Sequence, residues 1–129
     1  MEFDEATRKL LDGKNFATVA TLNPDGGPQS SVVWVKRDGD ALLFTTTMQR
    51  QKGRNLARDP RISVSIYDHD NPYDTVEIRG TAQLIDDEHN ALGTELSQKY
   101  LGENPPGDPA GTVRVIVRVT PEKVTGLSV

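Results

Sequence analysis

The clearest alternation of apolar and polar positions runs from Thr75 to Ile85. Val76, Ile78, Gly80, Ala82 and Leu84 share one face, and Thr75, Glu77, Arg79, Thr81 and Gln83 share the other. That period of two is a strand with one face on a core. Val113, Val115, Val117 and Val119 alternate with Arg114, Ile116 and Arg118 in a second such strand, which Pro121 interrupts before Val124. Shorter β-favourable runs cover Phe16–Leu22, Gln29–Lys36, Ala41–Thr47 and Arg61–Tyr67. The turn-forming segment Asn23–Pro28 separates the first two, and Asp38-Gly39 supplies positive-φ chemistry between the second and third. These three strands are therefore predicted to follow one another as antiparallel neighbours.

Helical patterns fill the remaining spaces. Asp4–Leu11 forms a short helix offering Phe3, Leu10 and Leu11 for packing, and Arg50–Arg58 forms another that Asp59-Pro60 stops. A third is capped by Asp86 or Asp87 and runs to about Leu101, with Leu92, Leu96 and Tyr100 at four-residue spacing and Gly102 just past its end. Glu103–Gly111 is a proline- and glycine-rich loop. Six short antiparallel strands without a βαβ rhythm predict a mainly β, α+β chain, a barrel decorated by helices, since closure removes exposed edges. No internal repeat or low-complexity tract is present.

Composition narrows the classes. At 129 residues the chain fits one domain spanning 1–129. A charged fraction of 26% with both signs present does not describe a disordered chain. No apolar run approaches the roughly 18–20 residues of a membrane span, and Met1–Glu5 lacks the order of a secretory signal, so a cytoplasmic protein without membrane association is expected. Without cysteine there is no disulfide or thiolate site, and His69 and His89 have no partners at metal-ligand spacing. No metal is expected. A net charge of −4 argues against nucleic acid as a partner, so any anion site must be local. No Ser-His-Asp arrangement, nucleophile elbow or carboxylate pair stands out, and no side chain is assigned a catalytic role.

One segment departs from the acidic background. Met48–Arg61 holds Arg50, Lys52, Arg54, Arg58 and Arg61 against a single acid, Asp59, directly after Thr45-Thr46-Thr47. Hydroxyls, cations and the first-turn amides of a helix would converge at one strand-to-helix corner, which suits a phosphate. The spacing of Arg50, Arg54 and Arg58 also describes an ordinary solvated helix face, and the threonines also suit a strand.

Lys52-Gly53-Arg54-Asn55-Leu56-Ala57-Arg58-Asp59-Pro60-Arg61, followed by a strand and Arg79-Gly80-Thr81-Ala82, resembles the pyridoxamine 5′-phosphate oxidase-like split-barrel superfamily. Phe16–Thr21, Gly27-Pro28-Gln29 and Leu43–Thr46 fall in that superfamily's order. The resemblance implies a six-stranded antiparallel Greek-key split β-barrel of the FMN-binding type. It further implies a homodimer with coenzyme F420, or alternatively FMN, in a groove between subunits. Lys52 then matches the phosphate lysine, with Arg50, Arg54, Asn55, Thr45, Thr46 and Thr47 around the same group. Gln29, Ser31, Val33 and Trp34 match the strand along the ring system. Gln51 stands where the vitamin B6 oxidases carry arginine, and their C-terminal substrate segment has no counterpart before Val129. The chain is more similar to the F420-dependent branch, in which reduced deazaflavin gives hydride to an electron-poor double bond of a small molecule. An FMN-dependent oxidoreductase or a non-catalytic flavin- or haem-binding module are the alternatives.

Overall fold

The computed structural model describes residues 1–128. Helix α1 (Glu5–Asp12) is capped by Asp4, whose carboxylate accepts from the Thr7 amide at 2.8 Å. The chain continues through β1 (Ala17–Leu22), β2 (Pro28–Val33), β3 (Lys36–Asp38), β4 (Ala41–Thr47), α2 (Gln51–Arg58), β5 (Arg61–Asp68), β6 (Asn71–Asp86), α3 (Ala91–Leu101) and β7 (Arg114–Ser128). All strands pair antiparallel in the order β2-β1-β5-β6-β7-β4-β3. This is the mainly β split-barrel fold predicted, with seven strands in place of six.

The extra strand arises because the predicted strand Gln29–Lys36 is two. β2 ends at Val33 and pairs with β1, whereas β3 begins at Lys36 and pairs with β4, at the opposite edge of the sheet. The predicted pairing of the second strand with Ala41–Thr47 therefore holds only for its last residue, Lys36, which opens β3. The break has a physical cause in α3. The Val35 amide donates to the Tyr100 hydroxyl at 3.1 Å, and the Val35 carbonyl accepts from Lys99 Nζ at 2.8 Å. Side chains thus take the backbone groups that a ladder would have used. Because only Trp34 and Val35 separate β2 from β3, the sheet must curl until its two edges approach each other.

β7 passes through Pro121 instead of ending before it. The β6–β7 register shifts between Arg79 and Gly80, and Gly80 then lies opposite Pro121. The bulge leaves Glu122 unpaired beside the residue that lacks an N–H. A Cβ at position 80 would overlap the Thr120 carbonyl, so glycine is required there. Helix α3 begins at Ala91, later than predicted, after Asn90 in the left-handed region at φ 52°. Asp87 still caps it, accepting from the Ala91 and Leu92 amides at 2.9 and 3.0 Å. Val19, Phe44, Val64, Ile66, Ile78 and Val117 fill the centre of the barrel, and Leu56 of α2 and Leu11 of α1 close onto it. Among the described residues no helix is long and apolar enough to cross a membrane.

Candidate functional site

Three residues separate the end of β4 from the start of helix α2, whose first turn carries no acid and no side-chain cap. Arg50 stands in extended geometry at the N-cap, its amide bonded to the Thr47 carbonyl at 3.1 Å. The Arg54 amide closes the first turn onto Arg50 at 3.2 Å. Among the described residues the amides of Gln51, Lys52 and Gly53 have no partner, which leaves three donors at the positive end of the helix dipole. Gly53 lies directly on the Thr47 carbonyl, where a Cβ would overlap the oxygen. That contact seats the helix start on the strand end.

Lys52 is 7% exposed, and its Nζ donates to the Ser31 hydroxyl at 3.1 Å. Among the described residues no carboxylate pairs with it. Burial, and then the charge of Arg50, hold its ammonium below the ordinary lysine pKa. A cation taken out of water without a counter-ion is costly, so this position favours an arriving anion. Thr46 adds a buried hydroxyl with no hydrogen-bond partner among the described residues. Thr45 directs its hydroxyl to the Val115 carbonyl at 3.3 Å, and Thr47 is buried beside the helix start.

The other cations and amides of α2 hold the helix in place. Asn55 is fully buried; its Nδ2 donates to Thr21 Oγ1 and Asn23 Oδ1, both at 3.0 Å, and its Oδ1 accepts from Gln51 Nε2 at 2.8 Å. Arg54 donates to the Gln49 carbonyl and to Gln51, and Arg58 to the Leu22 carbonyl. Arg50 is exposed and makes no side-chain bond among the described residues. On β2, Gln29, Ser31 and Val33 occupy the more sheltered alternate positions, and Gln29 accepts from Thr21 at 3.1 Å. Trp34 lies past the strand end and stacks on Tyr100, with ring centroids 5.3 Å apart and planes 11° apart. The structure thus gathers Lys52, Ser31, the α2 amides and the threonines at one corner, while Trp34 sits against α3.

Two residues that the sequence did not single out also reach this corner. Arg114 pairs across the β4–β7 ladder with Thr47, and its guanidinium grips Asp108 through Nε–Oδ2 at 3.1 Å and Nη2–Oδ1 at 2.6 Å. Arg114 read as the polar side of a strand and Asp108 fell in the proline- and glycine-rich loop; only the sheet register joins them to the corner.

A family model described as pyridoxamine 5′-phosphate oxidase matches residues 3–128. The chain belongs to that family. Among its relatives, the pyridoxine/pyridoxamine 5′-phosphate oxidase of Thermobifida fusca is 31% identical over 110 residues, 84% of this chain and 46% of the relative. The chain spans about half or less of the curated relatives it matches. A solved F420 reductase is 34% identical, with 95% of this chain and 98% of that one covered at a TM-score of 0.84. A conserved hypothetical protein from Mycobacterium tuberculosis is 26% identical, with 98% and 85% covered at a TM-score of 0.77. The family match thus agrees with the split-barrel architecture, and the F420 reductase matches nearly end to end.

Proposed function

We propose that this family member is an oxidoreductase that binds coenzyme F420 and uses its reduced form to reduce an electron-poor double bond of a small organic molecule. The observation that carries the reading is Lys52, a buried ammonium whose partner is a neutral serine, beside three unpaired helix amides. The unpartnered Thr46 hydroxyl fits the same guest, a phosphate, since an oxyanion can accept from all of these donors at once. The near end-to-end likeness to an F420 reductase favours the deazaflavin over FMN.

In this reading Lys52, Arg50, Thr46, Thr47 and the first-turn amides hold the phosphate, while Gln29, Ser31, Val33 and Trp34 line the path of the ring system. Arg54, Asn55 and Thr45 act at one remove by fixing the helix start. The cofactor supplies the hydride, and the chain's own residues bind, orient and exclude water. A second copy completes the groove: Phe16, Val32 and Tyr67 expose apolar surface around β1, β2 and β5, which a dimer would cover.

Fluorescence titration with F420 and FMN, on the wild type and Lys52→Ala, tests the assignment. The expected result is F420 binding that weakens at least tenfold in the variant, feeble FMN binding, and oxidation of reduced F420 by an activated alkene. Preferential FMN binding would move the chain to flavin chemistry. Tight binding without turnover by any electron-poor acceptor would make it a carrier.

A further inference from the structure

The turn leading into α2 is stitched to the loop that precedes β7. Gln49 Nε2 donates to the Gly111 carbonyl at 3.0 Å, the Val113 amide returns a bond to Gln49 Oε1 at 3.1 Å, and the Met48 amide donates to the Val113 carbonyl at 2.9 Å. The next residue is Arg114, opposite Thr47. Its two-pronged pair with Asp108 is the least exposed ion pair among the described residues, with side chains 17% and 26% exposed. The loop therefore carries a carboxylate to the same corner where Lys52 lacks one.

Asp108 also lies in the field of the α2 cations. Its bond to Arg114 does most to hold its carboxyl below the usual range, and the charge of Arg50 adds to that. Meanwhile the middle of the loop, between its fastened ends at Glu103 and Gly111, has little else to hold it. From Pro105 to Asp108 no backbone group is hydrogen-bonded among the described residues. A segment secured mainly by one side-chain pair opens at small cost. An arginine fork accepts a carboxylate or a phosphate in the same planar, two-pronged way, so the Asp108 oxygens mark a position where any oxyanion is stable.

We propose that Arg114 belongs to the anion site and that Asp108 is its resident counter-ion, a carboxylate that an oxyanion of the ligand displaces as the loop swings away. The proposal rests on the reading of the α2 corner as an anion site. It makes the loop a latch that lowers the apparent affinity by the fraction of molecules in which the latch is open.

Calorimetric titration with inorganic phosphate and with F420 tests it on the wild type, Asp108→Asn, Arg114→Gln, their double variant and Lys52→Ala. A latch open about one tenth of the time predicts that Asp108→Asn tightens both probes roughly tenfold. Arg114→Gln should weaken both, and in that background Asp108→Asn should bring no gain, because the two changes act through one pair. Unchanged or weaker binding by Asp108→Asn, with a wild-type melting curve, overturns the latch, as does Arg114→Gln binding like the wild type. If Lys52→Ala still weakens binding in that case, the anion site stands and the latch alone falls. If the wild type binds neither probe, both readings fall together.

Discussion

Asn55 separates a residue that touches ligand from one that holds the helix which does. It is fully buried, and Asn55→Ala removes three short bonds, two donated to Thr21 and Asn23 and one accepted from Gln51, besides the long, weak ones that Oδ1 accepts from Arg58 at 3.4 and 3.5 Å. At about 1 kcal/mol of net stability per bond, the loss is about 3 kcal/mol before the cavity is counted. For a chain of this length each kcal/mol moves the melting temperature by roughly 3–4 °C, so a fall of about 10 °C is expected. Calorimetric melting of the unliganded protein measures this directly. Asn55→Asp keeps the shape but turns two donors into acceptors facing oxygens, and should melt no higher than the alanine variant. A melting temperature within about 2 °C of wild type, together with a tenfold loss of F420 affinity, would refute the reasoning and put the amide against the ligand.

Lys52→Met should be as stable as wild type at neutral pH, or up to about 2 kcal/mol more stable, because it removes a buried charge without a counter-ion. Since burial lowers the Lys52 pKa from 10.5, the unfolded chain binds more protons between the two values, and stability rises with pH up to 10.5. Denaturant melts should show that rise weakened in Lys52→Met but not abolished, because burial lowers Lys99 in the same direction; an unchanged rise would contradict it. Gly53→Ala gains about 1 kcal/mol of helix propensity but drives a methyl into the Thr47 carbonyl, so a net loss of about 1–3 kcal/mol is expected, with weaker F420 binding. A stabilised variant would show that α2 can shift freely. Tyr100→Phe leaves the buried Val35 amide without its acceptor and removes the donor to the Asn15 carbonyl, costing about 1–3 kcal/mol in thermal melts while Trp34 keeps its stacking partner. An unaltered melting temperature would mean that water replaces the hydroxyl.

Local patterns carried most of the fold. Alternation at Thr75–Ile85 located β6, the Asp59-Pro60 stop ended α2, and of the two candidate caps, Asp86 and Asp87, the second accepts from the first turn of α3 although the helix starts later. What failed was set by distant residues. Gln29–Lys36 reads as one strand because nothing in it breaks; Tyr100 and Lys99, far along the chain, capture Val35 and split it. Pro121 reads as a terminator, and only Gly80 on the partner strand provides the space for a bulge that carries β7 onward. The strand-to-helix corner was legible for the same reason that β6 was: strand end, turn and helix start are contiguous in sequence.

The cation count at that corner was legible too, yet it overstated what is available to a ligand. Arg54 and Arg58 are bonded to carbonyls and amides of their own surroundings, and Arg61 is paired with Asp59, whose carboxyl it holds at a pKa of about 2. Arg114 arrives from β7 with its own carboxylate attached. Sequence spacing counts charges, whereas binding depends on which of them are buried and unsatisfied, because a charge already paired must first be released. By that measure Lys52 outweighs the arginines around it. A ligand anion gains most where the protein has left one ammonium out of water with only a serine hydroxyl beside it.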